Sequence, residues 1–208
     1  MPDRLIERTL RAFSDELSAD TPVPGGGSAA AYAGAMGAAL AAMVARIASK
    51  KESSERMRAF ADEMDGLRAD FLRFVDEDSA AYAQVAEAMK LPRKTDEEKA
   101  ARQELMQTSL LAASRVPLEV ARTARRLLDA CERGVESASP MTASDIGVGA
   151  LMAEAALRGA ALNVMINLAS IKDPAQVKAL SEDLERVLEG ADEQRRRITD
   201  FVESRIAR

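Results

Sequence analysis

Residues 21–37 read TPVPGGGSAAAYAGAMG. Two prolines and three consecutive glycines break the backbone, and Ser28 then leads straight into alanine. Such a cluster stops one helix and starts another. The new helix runs to about Lys50 with little side-chain bulk, and residues 21–45 carry no charge. A flexible linker has no use for the alanines. An ordinary helix start has no use for Gly25, Gly26 and Gly27 together. Something therefore approaches the backbone closely here. One candidate is a neighbouring helix, because Gly34 and Gly37 let another backbone come near. The other is a ligand, because a glycine turn at a helix N-terminus exposes unpaired N–H groups and is free to take φ > 0. GGGS lacks the Gly-Lys pair of a phosphate loop.

Outward from this stretch nearly everything follows the helical period. In residues 2–18, Leu5, Ile6, Leu10, Phe13 and Leu17 form one stripe. A third helix, about 53–89, repeats Met57, Phe60, Met64, Leu67, Phe71, Phe74 and Val75 three or four apart. Thr95 and Glu98 have the spacing of a capping box and open a fourth. Pro117 predicts a kink or break near Val116. The loop CERGVESASPMTAS, 131–144, precedes a weakly charged helix over about 143–171, and a charged helix closes the chain over about 174–205. The pattern predicts an all-α bundle of six or seven helices, with 1–208 as one domain.

Composition agrees. Aromatic residues make up 3% of the 208 and Trp is absent, so Ala, Leu, Val, Ile and Met must build the core. A net charge of -5 gives no electrostatic case for nucleic acid. The uncharged stretch is read as a core helix and not a membrane span, since its first part is Pro and Gly and the rest mainly Ala. Cys131 is the single cysteine, which excludes an intrachain disulfide, and the charged start MPDRLIERTL is no signal peptide. Both point to the cytoplasm.

There is no histidine. Proton transfer in an enzyme of this composition falls to Asp, Glu, Lys, Tyr or water, and no carboxylate cluster has metal spacing. Four places could carry chemistry. Lys50 and Lys51 end the uncharged helix, where a helix dipole favours cations and an apolar setting lowers a lysine's proton affinity. Asp76 and Asp78 interrupt the apolar stripe of the third helix. Asp78 shares a side with Phe71 and Tyr82, so it needs a partner or a task. Ser144 and Asp145 resemble a helix start. Asn163 and Asn167, one turn apart in an apolar run, serve as interhelical bonds or as ligand contacts. Asp145 and Asn163 share a face but lie about 27 Å apart along a helix.

Taken in order, TPVPGGGSAAAYAGAMGAAL, VDEDSAAYAQVAEAMKLPRKTDEEK, VPLEVAR, ASDIGVGALM and GAALNVMINLASIKD resemble the cyclodeaminase/cyclohydrolase family over about residues 4–175. The resemblance implies an all-helical protomer that pairs as a homodimer, with a folate cleft lined by the glycine loop. It implies chemistry at the one-carbon bridge between N5 and N10 of tetrahydrofolate, with no metal or redox cofactor. Gly25, Gly26, Gly27 and Ser28 match the glycine block. Lys50 and Lys51 match the lysine cluster, Asp78 an acidic position, Asp145 the Ser-Asp pair, and Asn163 and Asn167 the late asparagines.

On this basis Lys51 is expected to move the proton, Asp78 to hold the methenyl cation, and Asp145 to orient the pterin. Hydrolysis of methenyltetrahydrofolate is the leading expectation, because no formiminotransferase part accompanies these residues. Cyclodeamination of the formimino derivative is the alternative. Two departures stand out. Ala138, Ser139, Pro140 and Met141 replace a Gly-Asn-x-Asn motif common in relatives, and KKESSER lacks the tyrosine that usually follows the lysines. They motivate a rival reading, a non-catalytic folate-binding helical dimer.

Overall fold

The computed structural model describes residues 4–52 and 54–207, with the side chains of Lys51 and Glu52 outside that description. Among the described residues the chain is helical throughout, with no strand. Seven α-helices follow one another: α1 Leu10–Leu17, α2 Gly26–Glu52, α3 Glu55–Lys90, α4 Asp96–Gly134, α5 Ala143–Leu168, α6 Pro174–Leu188 and α7 Ala191–Ile206. One apolar core draws on α2 through α7, and Leu5, Ile6 and Phe13 pack against its edge. The expected all-α bundle is what forms.

Four boundaries differ from the sequence reading. The N-terminal helix is divided: a short 3-10 turn covers Leu5–Glu7, and Thr9 then caps α1 by accepting from the Ala12 N–H. The Asp76 carboxylate captures the Leu5 N–H at 2.8 Å and the Arg4 guanidinium at 3.0 Å, which holds this segment out of a continuous helix. At the glycine block, α2 starts at Gly26, so Gly26, Gly27 and Ser28 form its first turn and not a loop before it. The one glycine at positive φ among the described residues is Gly190, at 68°; the freedom anticipated at residues 25–27 is not used there. Gly190 divides the closing helix into α6 and α7.

The fourth concerns Pro117. It lies inside α4, which runs unbroken from Asp96 to Gly134. Proline supplies no N–H, so the carbonyl four residues earlier, Ala113, loses its helical donor. The Asn167 amide of α5 takes that place, with Nδ2 donating to the Ala113 oxygen at 3.0 Å. Thr95 and Glu98 do form the full capping box at the start of α4.

The alanine-rich helix is packed as closely as its composition suggests. α2 and α5 run antiparallel: Gly26 faces Asn163, Ala30 faces Gly159, and Gly37 faces Gly149. A Cβ at Gly37 would stand 2.8 Å from the Gly149 carbonyl, and one at Gly34 would stand 2.4 Å from the Phe71 ring. Helices 26–50 and 143–168 are long and apolar enough to cross a membrane by length and composition, yet in this fold 61% and 44% of their apolar windows are buried.

Candidate functional site

The first turn of α2 meets the middle of α3, and the contact explains Gly27. A Cβ there would stand 2.0 Å from Asp78 Oδ1, so only a glycine leaves room for the carboxylate. Asp78 thus sits at the positive end of the α2 dipole, where unpaired N–H groups favour an anion. The Ser28 hydroxyl, fully buried, lies 3.0 Å from Asp78 Oδ2, 3.0 Å from the Val75 carbonyl and 3.2 Å from the Ser79 hydroxyl. Burial pushes the Asp78 carboxyl above its ordinary value, and hydrogen bonds from the Ser28 side chain and backbone pull against that. The pocket serves either charge state. An ionised Asp78 accepts from Ser28, while a protonated one can donate to the Ser28 oxygen and leave its hydroxyl to Val75.

Above this carboxylate opens a cleft of about 330 Å³. Gly25, Gly26 and Gly27 form one wall, Asp78 and Tyr82 another, and Asn163 and Asn167 a third. The Asn163 Nδ2 lies 3.4 Å from where a Gly26 Cβ would be and donates to the Gly159 carbonyl at 2.9 Å. Val85, Leu110, Ala113 and Ile166 give the cleft an apolar floor. A carboxylate beside apolar surface can pair with a flat organic cation, which would set its charge against Asp78 and its face on the floor.

The structure therefore gathers Gly25, Gly26, Gly27, Asp78, Asn163 and Asn167 around one space, with Ser28 beneath it. It does not bring the lysines there. Lys50 is exposed at the other end of α2, about 36 Å along the helix from Gly26. The Lys51 side chain lies outside the described residues. Asp145 sits in the first turn of α5, at that same far end of the antiparallel pair. A second cleft of about 540 Å³ lies there, between Ile47 and Ala48 of α2 and the segment Ser137–Thr142. The departures at Ser139 and Met141 belong to this far cleft, where Met141 is 90% exposed.

Tyr82 and Ser79 were not singled out from sequence. Tyr82 was legible only as part of a stripe, and Ser79 gains meaning only when Ser28 arrives from another helix. Cys131 is buried, and burial pushes its thiol up to about 12, so it is no nucleophile at neutral pH. Among the described residues no three His, Cys, Asp or Glu side chains cluster to hold a metal ion.

Comparison with known proteins places these features in a group. Residues 9–201 match the formiminotransferase-cyclodeaminase family. A methenyltetrahydrofolate cyclohydrolase of Methylorubrum extorquens is 39% identical over 202 residues, covering 95% of this chain and 97% of that protein. The formimidoyltransferase-cyclodeaminase of Gallus gallus is 35% identical over 207 residues, and there the match spans 98% of this chain but 38% of the relative. The crystal structure of formiminotetrahydrofolate cyclodeaminase from Thermotoga maritima superposes with a TM-score of 0.82 at 28% identity, covering 95% of this chain and 97% of that one.

Proposed function

The chain belongs to the formiminotransferase-cyclodeaminase family, and we propose that it is a folate one-carbon enzyme that hydrolyses 5,10-methenyltetrahydrofolate to 10-formyltetrahydrofolate. The observation that carries this reading is the half-buried Asp78 carboxylate set against Gly27 in a cleft whose other groups are glycine, amide, hydroxyl and apolar.

The substrate carries a delocalised amidinium across N5 and N10. Its positive charge rests against Asp78, and the glycine wall lets the ring system approach the α2 backbone. Water adds to the bridge carbon and gives up a proton, for which Asp78 is the nearest acceptor. Its raised proton affinity suits a base in neutral solution. The tetrahedral adduct then expels N5, which takes a proton as the carbon–N5 bond breaks, and the formyl group stays on N10. One water is consumed and one proton is released. Water and side chains suffice, so the reaction calls for no cofactor beyond the folate itself.

The leaving N5 needs a donor, and Lys50 and Lys51 stand too far away within one protomer. Exposed apolar side chains on α2 and α5 suit a homodimer that brings this end of a second copy over the cleft. A reducing cytosol suits the single buried Cys131.

The second reading, cyclodeamination of formiminotetrahydrofolate, is supported by the fold-level likeness to the Thermotoga maritima enzyme. Both readings are separated by one pair of assays. Purified protein is expected to accelerate the loss of methenyltetrahydrofolate absorbance above the spontaneous rate and to release no ammonia from the formimino substrate. Ammonia release without methenyl hydrolysis selects the cyclodeaminase. Silence in both assays rejects the enzyme reading.

A further inference from the structure

Ser28 has one hydrogen to give and three neighbours at hydrogen-bond distance. Its Oγ lies 3.0 Å from the Val75 carbonyl, 3.0 Å from Asp78 Oδ2 and 3.2 Å from the Ser79 hydroxyl. While Asp78 is ionised the first two only accept, so they compete for that hydrogen. The Val75 carbonyl has a second source, because it lies four residues before Ser79 inside α3 and receives that N–H in the helical ladder. The carboxylate is also the stronger acceptor. The Ser28 hydrogen therefore goes to Asp78, and the Ser28 oxygen is left to accept from Ser79.

Ser79 is placed to donate it. Ser28 Oγ is the one hydrogen-bond partner of its hydroxyl among the described residues. Ser79 is half-buried on α3 and lines no part of the cleft, so it reaches a bound substrate only through Ser28. The charges beside the carboxylate are occupied: Asp76 and Glu77 pair with Arg4 and Arg73. The first turns of α2 are uncharged, and α4 and α5 bring Leu110, Ala113, Asn163, Ile166 and Asn167 to the cleft. Tyr82 is the one other titratable side chain that lines it among the described residues.

We propose that Ser79 is a positioning residue for the reaction: its hydroxyl donates to Ser28, commits the Ser28 hydrogen to Asp78 Oδ2, and so keeps the carboxylate ionised and held against Gly27. The assignment rests on the reading of Asp78 as the group that holds the cation and takes the proton. While Asp78 is ionised, the three groups form one chain in which each donation strengthens the next. Once Asp78 is protonated, its O–H and that of Ser79 compete for the same Ser28 oxygen, and Ser28 turns its hydrogen to Val75. The Ser79 hydroxyl thus favours the ionised state. Burial pulls the other way and raises the Asp78 carboxyl, so the balance between the two decides at what pH the cleft carries its negative charge.

The test follows the acid limb of kcat/KM for methenyltetrahydrofolate. Removing the hydroxyl in Ser79→Ala should move the limb to higher pH, so that on the limb kcat/KM falls about two- to fourfold. Ser79→Thr restores a hydroxyl and should return the limb toward the parent's place. An unmoved limb in Ser79→Ala, with or without a lower plateau, overturns the assignment, as does an equal shift in both variants. A second arm needs no turnover. In the full chain labelled with carbon-13 at its aspartate carboxyls, the Asp78 signal is the one missing from Asp78→Asn. Its titration midpoint should rise in Ser79→Ala and rise further in Ser28→Ala, both folded by circular dichroism. An unmoved midpoint in either variant overturns the role of Ser79 and leaves the cleft's reaction intact. A midpoint that rises in a protein that turns over no methenyltetrahydrofolate keeps the chain from Ser79 to Asp78 and removes the proposed reaction.

Discussion

Asp78 is pulled in two directions, and the direction that wins can be measured. Burial raises its proton affinity, and the Ser28 hydrogen bonds only partly offset that. The folded protein therefore binds the proton at Asp78 more tightly than the unfolded chain does. Below the ordinary aspartate range both states are protonated and the group costs nothing. As pH rises through the raised folded value, ionisation becomes a penalty, complete once the pH is above it. Asp78→Asn keeps the shape and removes the charge. Its melting temperature is expected to exceed the parent's at neutral pH, with the difference vanishing toward acid. The same group should set the acid limb of kcat/KM above the ordinary aspartate range, and the limb should disappear in Asp78→Asn together with most of the activity. Equal melting temperatures at every pH would remove the buried-charge account. Asp78 was legible in the sequence because 71, 74, 75, 78 and 82 share a helical face. That Ser28 and Gly27 complete its setting was not, since the contact joins residues about fifty positions apart and no local spacing records it.

At the scale of helices, Pro117 and Asn167 belong to one device. Proline in a helix interior ordinarily costs about 3 kcal/mol or more, partly through the orphaned carbonyl. Here that carbonyl, Ala113, receives its hydrogen bond from the neighbouring helix, and α4 continues. The sequence displayed both residues: the proline read as a break, the asparagine as either a ligand contact or an interhelical bond. Their mutual answer was hidden because each was read along its own helix. Removing the amide should leave a nearly buried carbonyl unpaired, a cost of about 1–3 kcal/mol. Asn167→Ala is expected to lower stability by about that amount in urea denaturation. In a Pro117→Ala background the backbone N–H returns and the same change should cost clearly less. Additive losses in the double-mutant cycle would show that the two residues act independently. Gly190 was missed for a related reason: its left-handed φ of 68° divides α6 from α7, yet a lone glycine between charged helical stretches is tolerated in a helix pattern.

For the molecule as a whole, the bundle followed from periodicity and composition, while the arrangement of its ends did not. Antiparallel packing of α2 and α5 sends the glycine end and the lysine end of one helix to opposite poles. Along the outer side of this pair run Met36, Met43 and Ile47 of α2 with Val148, Leu151, Leu162 and Ile166 of α5, the last two 66% and 68% exposed. Exposed apolar side chains of this kind suit an interaction surface. A two-fold axis across the middle of α2 would cover it with its own copy and carry the lysine end of that copy to the glycine end of the first. Each cleft would then hold Asp78 from one protomer and Lys50 and Lys51 from the other. Light scattering is expected to give a dimer of the 22.4 kDa chain. Asp78→Asn and the double change Lys50→Met/Lys51→Met should each be inactive yet folded. Mixed after dissociation, half of the dimers carry one chain of each kind, and one of their two clefts has every group intact. Activity should return to about a quarter of the parent's. A mixture that stays inactive, although exchange is shown by a tagged chain, would mean that each cleft draws its groups from a single chain, and the proton delivered to N5 would then have to come from Tyr82 or solvent.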